Sequence, residues 1–172
     1  RARWLTTSMM DIIALDPGWQ GGNYETNPLT GLAVAARVFA PYIFTERWYA
    51  QNVRTAEQRR ELQKIWHGLF FQDARDVYYD LRMWATFNVG DTPGFGGDAA
   101  AALRSIKARV LLLSMKDDQL ISSEEIAMTK SAIPNVVHVE VNAAGHAGCC
   151  GGDPEANKVI DREIARFLAT LK

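Results

Sequence analysis

The sequence predicts an α/β protein in two parts: helices alone over residues 1–90, then alternating helix and strand over residues 91–172. Three observations carry that reading. In the first part apolar residues recur at helical spacing and never alternate with polar ones as on a half-buried strand. The second part holds a short, continuous apolar run, "ARVLLLSM" at 108–115, and a second strand-like stretch, "NVVHVEV" at 135–141, each followed by a helix-like stretch. Finally, 172 residues with 48% hydrophobic and 23% charged side chains suffice to bury a substantial core.

Each element has its own signal. "TTSMMDIIALDP" forms a helix entered at Thr6 or Thr7 and stopped by Asp16 and Pro17, because proline disfavours helical geometry in the residue before it. The loop "GWQGGNYETNP" follows, and "TGLAVAARVFAPYIF" is a second helix with Pro41 as a kink or break. "TAEQRRELQKIWHGLF" begins with Thr55 and Gln58 at the spacing of a capping box, and residues 73–87 make a fourth helix. The glycine-rich stretch "GDTPGFGGD" reads as a linker, since no strand precedes it and no Lys-Ser/Thr pair follows as in a phosphate loop. Beyond it come the short helix "DAAAALRSI", the first strand, the capped helix "SSEEIAMTKSAI", the second strand and the long amphipathic helix "DPEANKVIDREIARFLATL". Such spacing implies a right-handed crossover and a parallel pair covered on both faces. Two strands alone make no stable parallel sheet, so further strands are expected from elsewhere.

Bulk composition narrows the function. Nineteen basic against twenty acidic residues leave a net charge of −1, which argues against nucleic acid or an anionic membrane as partner. No apolar run reaches the roughly 20 residues of a membrane helix, and the start "RARWLTTSMMDII" lacks a signal peptide's features; a cytoplasmic location is the expectation. Cys149 and Cys150 are adjacent and read as structural or incidental. With His67, His138 and His146 they make no zinc spacing, so neither a metal nor a bound cofactor is expected. His67 reads as closing a helix end and His138 as a sheet-face residue.

In open α/β sheets the chemistry lies outside the carboxyl ends of the strands. Two loops open there: "KDDQL" after the first strand, and "NAAGHAG" after the second, where small residues carry His146 into a crowded cleft. A carboxylate on one and an imidazole on the next can meet, the acid fixing the tautomer and orientation of the base. An ordinary loop histidine is the bland alternative.

This arrangement resembles the last third of the α/β-hydrolase fold. The order "DPGWQGGNY", "GLAVAAR", "FFQDARDVYYDL", "DDQL" and "GH" is similar to the homoserine O-acetyltransferase family over the whole chain. The resemblance implies the carboxyl-terminal part of an α/β-hydrolase core at 91–172 and a helical lid at 1–90, often a homodimer interface. It implies catalysis of acyl transfer or ester hydrolysis by a Ser-His-Asp triad, with His146 as base and Asp118 as its acid, Asp117 being a solvated neighbour. Arg37 matches the arginine that helps to bind the substrate carboxylate, and Trp19 or Tyr24 is placed to touch an acyl group, although lid packing is the commoner use of such aromatics. A small-molecule ester or acyl acceptor is the implied substrate, with acetyl-CoA or another acyl-CoA as co-substrate if the reaction is a transfer.

Two departures matter. The family's histidine is followed by an aspartate that receives the amino group of homoserine, whereas Ala147 stands here. Losing that charge-assisted hydrogen bond costs on the order of 1.5–3 kcal/mol, so homoserine is a doubtful substrate. Secondly, no serine lies in a G-x-S-x-G elbow. By family order the elbow precedes Arg1, and the expectation is a carboxyl-terminal half, inactive without an amino-terminal half or subunit carrying the nucleophile. A noncatalytic, hydrolase-derived interaction module is the alternative. An independent nucleotide-binding domain would need a glycine loop after a first strand, and none is present.

Overall fold

Ten regular elements in the order five helices, helix, strand, helix, strand, helix emerge from the computed structural model, which describes residues 2–70, 72–150 and 153–171, the side chains of 66–70 and 149–150 excepted. His67, Cys149 and Cys150 have side chains outside the described residues. The chain divides into two units, Arg1–Pro41 with Glu46–Phe87, and Tyr42–Thr45 with Asn88–Lys172.

The first unit is helical. Helix α1 (Ala2–Ala14) packs on α2 (Leu29–Phe39) and α5 (Ala74–Thr86), and α2 packs on α4 (Ala56–Phe70). Met9, Ile13, Leu32, Ala35 and Ala36 are fully buried there. Helix α1 begins at Ala2, a turn earlier than Thr6 or Thr7 suggested. The hydroxyls of Thr6 and Thr7 donate back to the carbonyl of Arg3, at 3.0 and 2.8 Å, instead of capping a helix start. Asp16 does more than end α1: its carboxylate accepts the N–H groups of Gly18 (2.8 Å) and Gly31 (2.7 Å), the latter in the first turn of α2. At Gly31 a Cβ would lie 3.1 Å from the Ile13 Cα, so a larger residue would force α2 a few tenths of an ångström away from α1.

Helix α2 stops at Phe39 and a single turn, Ala40–Tyr42, carries Pro41. Helix α3 (Glu46–Asn52) was not foreseen, being seven residues without an apolar stripe. The capping box of α4 is present, with Gln58 N–H on Thr55 Oγ1 at 3.1 Å and Thr55 N–H on Gln58 Oε1 at 3.0 Å. Asp73 caps α5.

In the second unit α6 (Ala99–Arg104) leads to strand β1 (Val110–Met115), α7 (Ser123–Ala132), strand β2 (Val136–Val141) and α8 (Pro154–Ala169). The strands pair in parallel, Val110 opposite Val136 through Met115 opposite Val141. Alternation sends Leu113, Met115, Val139 and Val141 to one face, where they pack with Ala156, Val159 and Ile160 of α8. Ser114 and His138 share the other face, 2.8 Å apart from Oγ to Nε2, so His138 is a sheet-face residue with a polar partner. Ser122 and Glu125 form the capping box that opens α7. No helix among the described residues is long and apolar enough to cross a membrane.

Candidate active site

Both strands end at the same edge, and the pairing runs one step past β1, Lys116 N–H donating to the Val141 carbonyl at 2.8 Å. The chain then turns at Asp117, whose φ of +59° is unusual for a residue with a side chain. This turn presents Asp118 beside the following strand. Its Oδ1 accepts the N–H groups of Leu120 (2.8 Å) and Ile121 (3.1 Å), which fixes the side chain. Oδ2 then lies 2.9 Å from His146 Nδ1. The Asp118 side chain is 8% exposed and that of His146 is 22% exposed, so the pair is shielded yet reachable.

The turn that carries His146 is held from two sides. Gly145 has φ +86°, and a Cβ there would meet the Thr45 nitrogen at 2.9 Å and the Ile43 carbonyl at 3.1 Å. That contact is productive because residues 43–45 bracket the histidine: Thr45 N–H donates to the Ala144 carbonyl (3.2 Å) and Ala147 N–H donates to the Ile43 carbonyl (2.9 Å). From the other side Asp153 Oδ2 accepts Ala144 N–H at 3.1 Å while Oδ1 caps α8 through Glu155 and Ala156. Neither residues 43–45 nor Asp153 figured in the sequence reading of the site. The "DP" at 153–154 was the available signal for the cap, aspartate before proline at the first helical position.

The electrostatics follow from this geometry. Burial would push the Asp118 carboxyl up, but the hydrogen bonds from His146, Ile121 and Leu120 outweigh it and hold the group below the usual carboxylate range. An ionised carboxylate only accepts, so Nδ1 of His146 carries the proton and donates it to Oδ2; in the neutral ring Nε2 is then the basic nitrogen. Such a pair can take a proton from a hydroxyl and return it. A cleft of about 500 Å³ reaches the pair, lined also by Lys116, Ser123, Lys130 and Glu140. Among the described residues no cluster of three His, Cys, Asp or Glu side chains could hold a metal ion.

The other residues singled out from the sequence stand elsewhere. Ala147 is nearly buried, its N–H committed to Ile43. Arg37 is exposed on α2 and lines a cavity of the first unit. Trp19 and Tyr24 are buried in the packing of that unit. Trp19 stacks on Tyr78 with centroids 4.9 Å apart, and the Tyr24 hydroxyl donates to Asp73 Oδ1 at 2.5 Å under the Arg75 guanidinium. Both aromatics thus contribute to the packing of that unit.

No family model matches the chain. Two curated relatives, a probable esterase of Corynebacterium glutamicum and an ethyl acetate hydrolase of Pseudomonas veronii, are each 23% identical over 171 residues, which is 95% and 96% of this chain. The chain spans about half the length of these relatives, 48% and 49%. Among solved structures, the acetyl esterase MekB superposes with a TM-score of 0.86 at 21% identity over 97% of this chain and 50% of its own. A homoserine O-acetyltransferase from Bacillus anthracis gives 0.70 at 22% over 84% of this chain and 43% of its own. The fold is therefore that of about half of an α/β hydrolase.

Proposed function

We propose that the chain supplies the acid and the base of a Ser-His-Asp triad that cleaves esters, the nucleophilic serine lying on a segment outside these 172 residues. The observation that supports this best is the 2.9 Å contact of Asp118 Oδ2 with His146 Nδ1 at the carboxyl ends of adjacent parallel strands. In this reading His146 Nε2 takes the proton of the serine hydroxyl as the oxygen attacks the acyl carbon, then gives it to the departing alcohol. Asp118 keeps the ring oriented and stabilises the imidazolium. Water, activated by the same nitrogen, releases the acyl group as a carboxylic acid.

Water is favoured over homoserine as the acceptor because Ala147 offers no carboxylate to an ammonium group. The relatives named as esterase and ethyl acetate hydrolase point to short acyl esters as the substrate class. The test is labelling of the native preparation with a serine-directed fluorophosphonate. The expected result is label on a G-x-S-x-G serine and its loss in the His146→Ala protein. The lack of that motif in this chain favours one other reading, a noncatalytic interaction module, to which labelling indifferent to His146 would point.

A further inference from the structure

Residues 42–45 belong to the second unit, yet the chain on either side of them, up to Pro41 and from Glu46, belongs to the first. Ile43 and Phe44 are buried. The backbone of this short strap lies against Gly145, where a Cβ would come within 3.1 Å of the Ile43 carbonyl oxygen and the Phe44 carbonyl carbon. It grips the turn at two points, one on each side of His146: Thr45 N–H on the Ala144 carbonyl at 3.2 Å, and Ala147 N–H on the Ile43 carbonyl at 2.9 Å. The two ends of the strap are joined as well. The Tyr49 hydroxyl donates to the carbonyl of Ala40, nine positions earlier, and so ties α3 to the turn that follows α2. The Trp48 ring stands edge-on to that of Tyr49, with centroids 5.4 Å apart.

A loop whose ends are pinned has fewer conformations to lose when its middle docks. Closing the chain between Ala40 and Tyr49 therefore favours the docked strap, and through it the turn that aims His146 at Asp118. We propose that Tyr49 is a positioning residue for His146, its hydroxyl clasping the strap 42–45 that holds the histidine's turn. The effect on ester cleavage rests on the reading of His146 as the general base, whereas the strap itself can be followed without any activity.

The test is residue-resolved amide hydrogen exchange of the full chain, in the original protein and in Tyr49→Phe, with thermal unfolding to verify the fold. Tyr79→Phe, at an exposed tyrosine of α5, is the control. In Tyr49→Phe the Thr45 and Ala147 amides are expected to exchange about three- to tenfold faster, the effect of one neutral hydrogen bond. Lys116, whose N–H closes the strand pairing, should change less, and the control should change none of them. In the serine-containing preparation kcat on a short acetyl ester should fall with KM unchanged, because the base and not the ester is disturbed. A role confined to the helices would instead speed Val53, whose N–H lies on the Tyr49 carbonyl, and leave Thr45 and Ala147 as they were; that result overturns the proposal. Should Tyr49→Phe not fold, Pro41→Gly, which loosens the clasp from its Ala40 side, decides by the same order of amides. A serine-containing preparation that cleaves no ester would sink the ester reading, and the amide rates would still decide this proposal.

Discussion

Replacing Asp118 with asparagine isolates the contribution of charge at the candidate site. Asparagine keeps an oxygen for the Leu120 and Ile121 N–H groups, now at 2.8 and 3.1 Å, so the loop can hold its shape. It turns an NH2 group toward His146 Nδ1, where an acceptor stood at 2.9 Å. Two donors cannot face each other, so the ring must move its proton from Nδ1 to Nε2, and the basic nitrogen no longer points to a substrate hydroxyl. The analogous change in a serine triad costs about 10⁴-fold in kcat, roughly 5 kcal/mol of barrier. Stability should fall by only about 1–2 kcal/mol, the difference between a charge-assisted and a neutral hydrogen bond. Because the Asp118 carboxyl is held below its ordinary range in the fold, its contribution is present above that range and disappears as pH falls through the lowered value. The stability difference between the two proteins should therefore be greatest near neutral pH and close in acid. Two assays check this: kcat on a short acetyl ester in the native, serine-containing preparation, and the ¹⁵N shifts of His146 in this chain. The reasoning is refuted if the asparagine protein keeps Nδ1 protonated and loses less than about tenfold in kcat.

Three other outcomes follow from the same structure. Gly145→Ala combines a φ of +86° with a Cβ 2.9 Å from the Thr45 nitrogen, and should cost about 2–4 kcal/mol in thermal unfolding; an unchanged Tm would mean that residues 43–45 do not hold the His146 turn. Asp153→Ala removes both the α8 cap and the Ala144 tie, with an expected loss of about 1–2 kcal/mol in urea unfolding and a larger loss of ester cleavage than of stability; equal urea midpoints would refute the cap. Tyr49, raised from 10.0 to about 12 by burial, contributes stability that is complete below pH 10 and lost as pH rises through 12. Absorbance at 295 nm should show this late ionisation, and Tyr49→Phe should flatten the alkaline fall in unfolding temperature.

Local chemistry made much of the molecule legible. The apolar run at 110–115 and the valine-rich stretch at 136–141 read as strands because both are short, rich in strand-favouring residues and bounded by turn residues and capped helices. Thr55 with Gln58, and Ser122 in the stretch that opens α7, marked helix starts because a hydroxyl there satisfies an amide that the helix cannot. The early start of α1 was hidden for a related reason: Thr6 and Thr7 look like caps, but hydroxyls also bond back to carbonyls three or four residues before, and the sequence does not distinguish the two uses.

By itself, then, the sequence determined the parallel strand pair, the helices that cover it and the loops on which Asp118 and His146 stand, all consequences of periodicity, capping and chain direction over short spans. Tertiary structure alone decided that residues 43–45, about a hundred positions before His146, bracket its turn, and that Asp153 closes it from the other side. It also decided that Trp19 and Tyr24 are buried in the packing of the first unit. Those are contacts between segments far apart in the chain, set by which surfaces can be buried together. No local propensity encodes them.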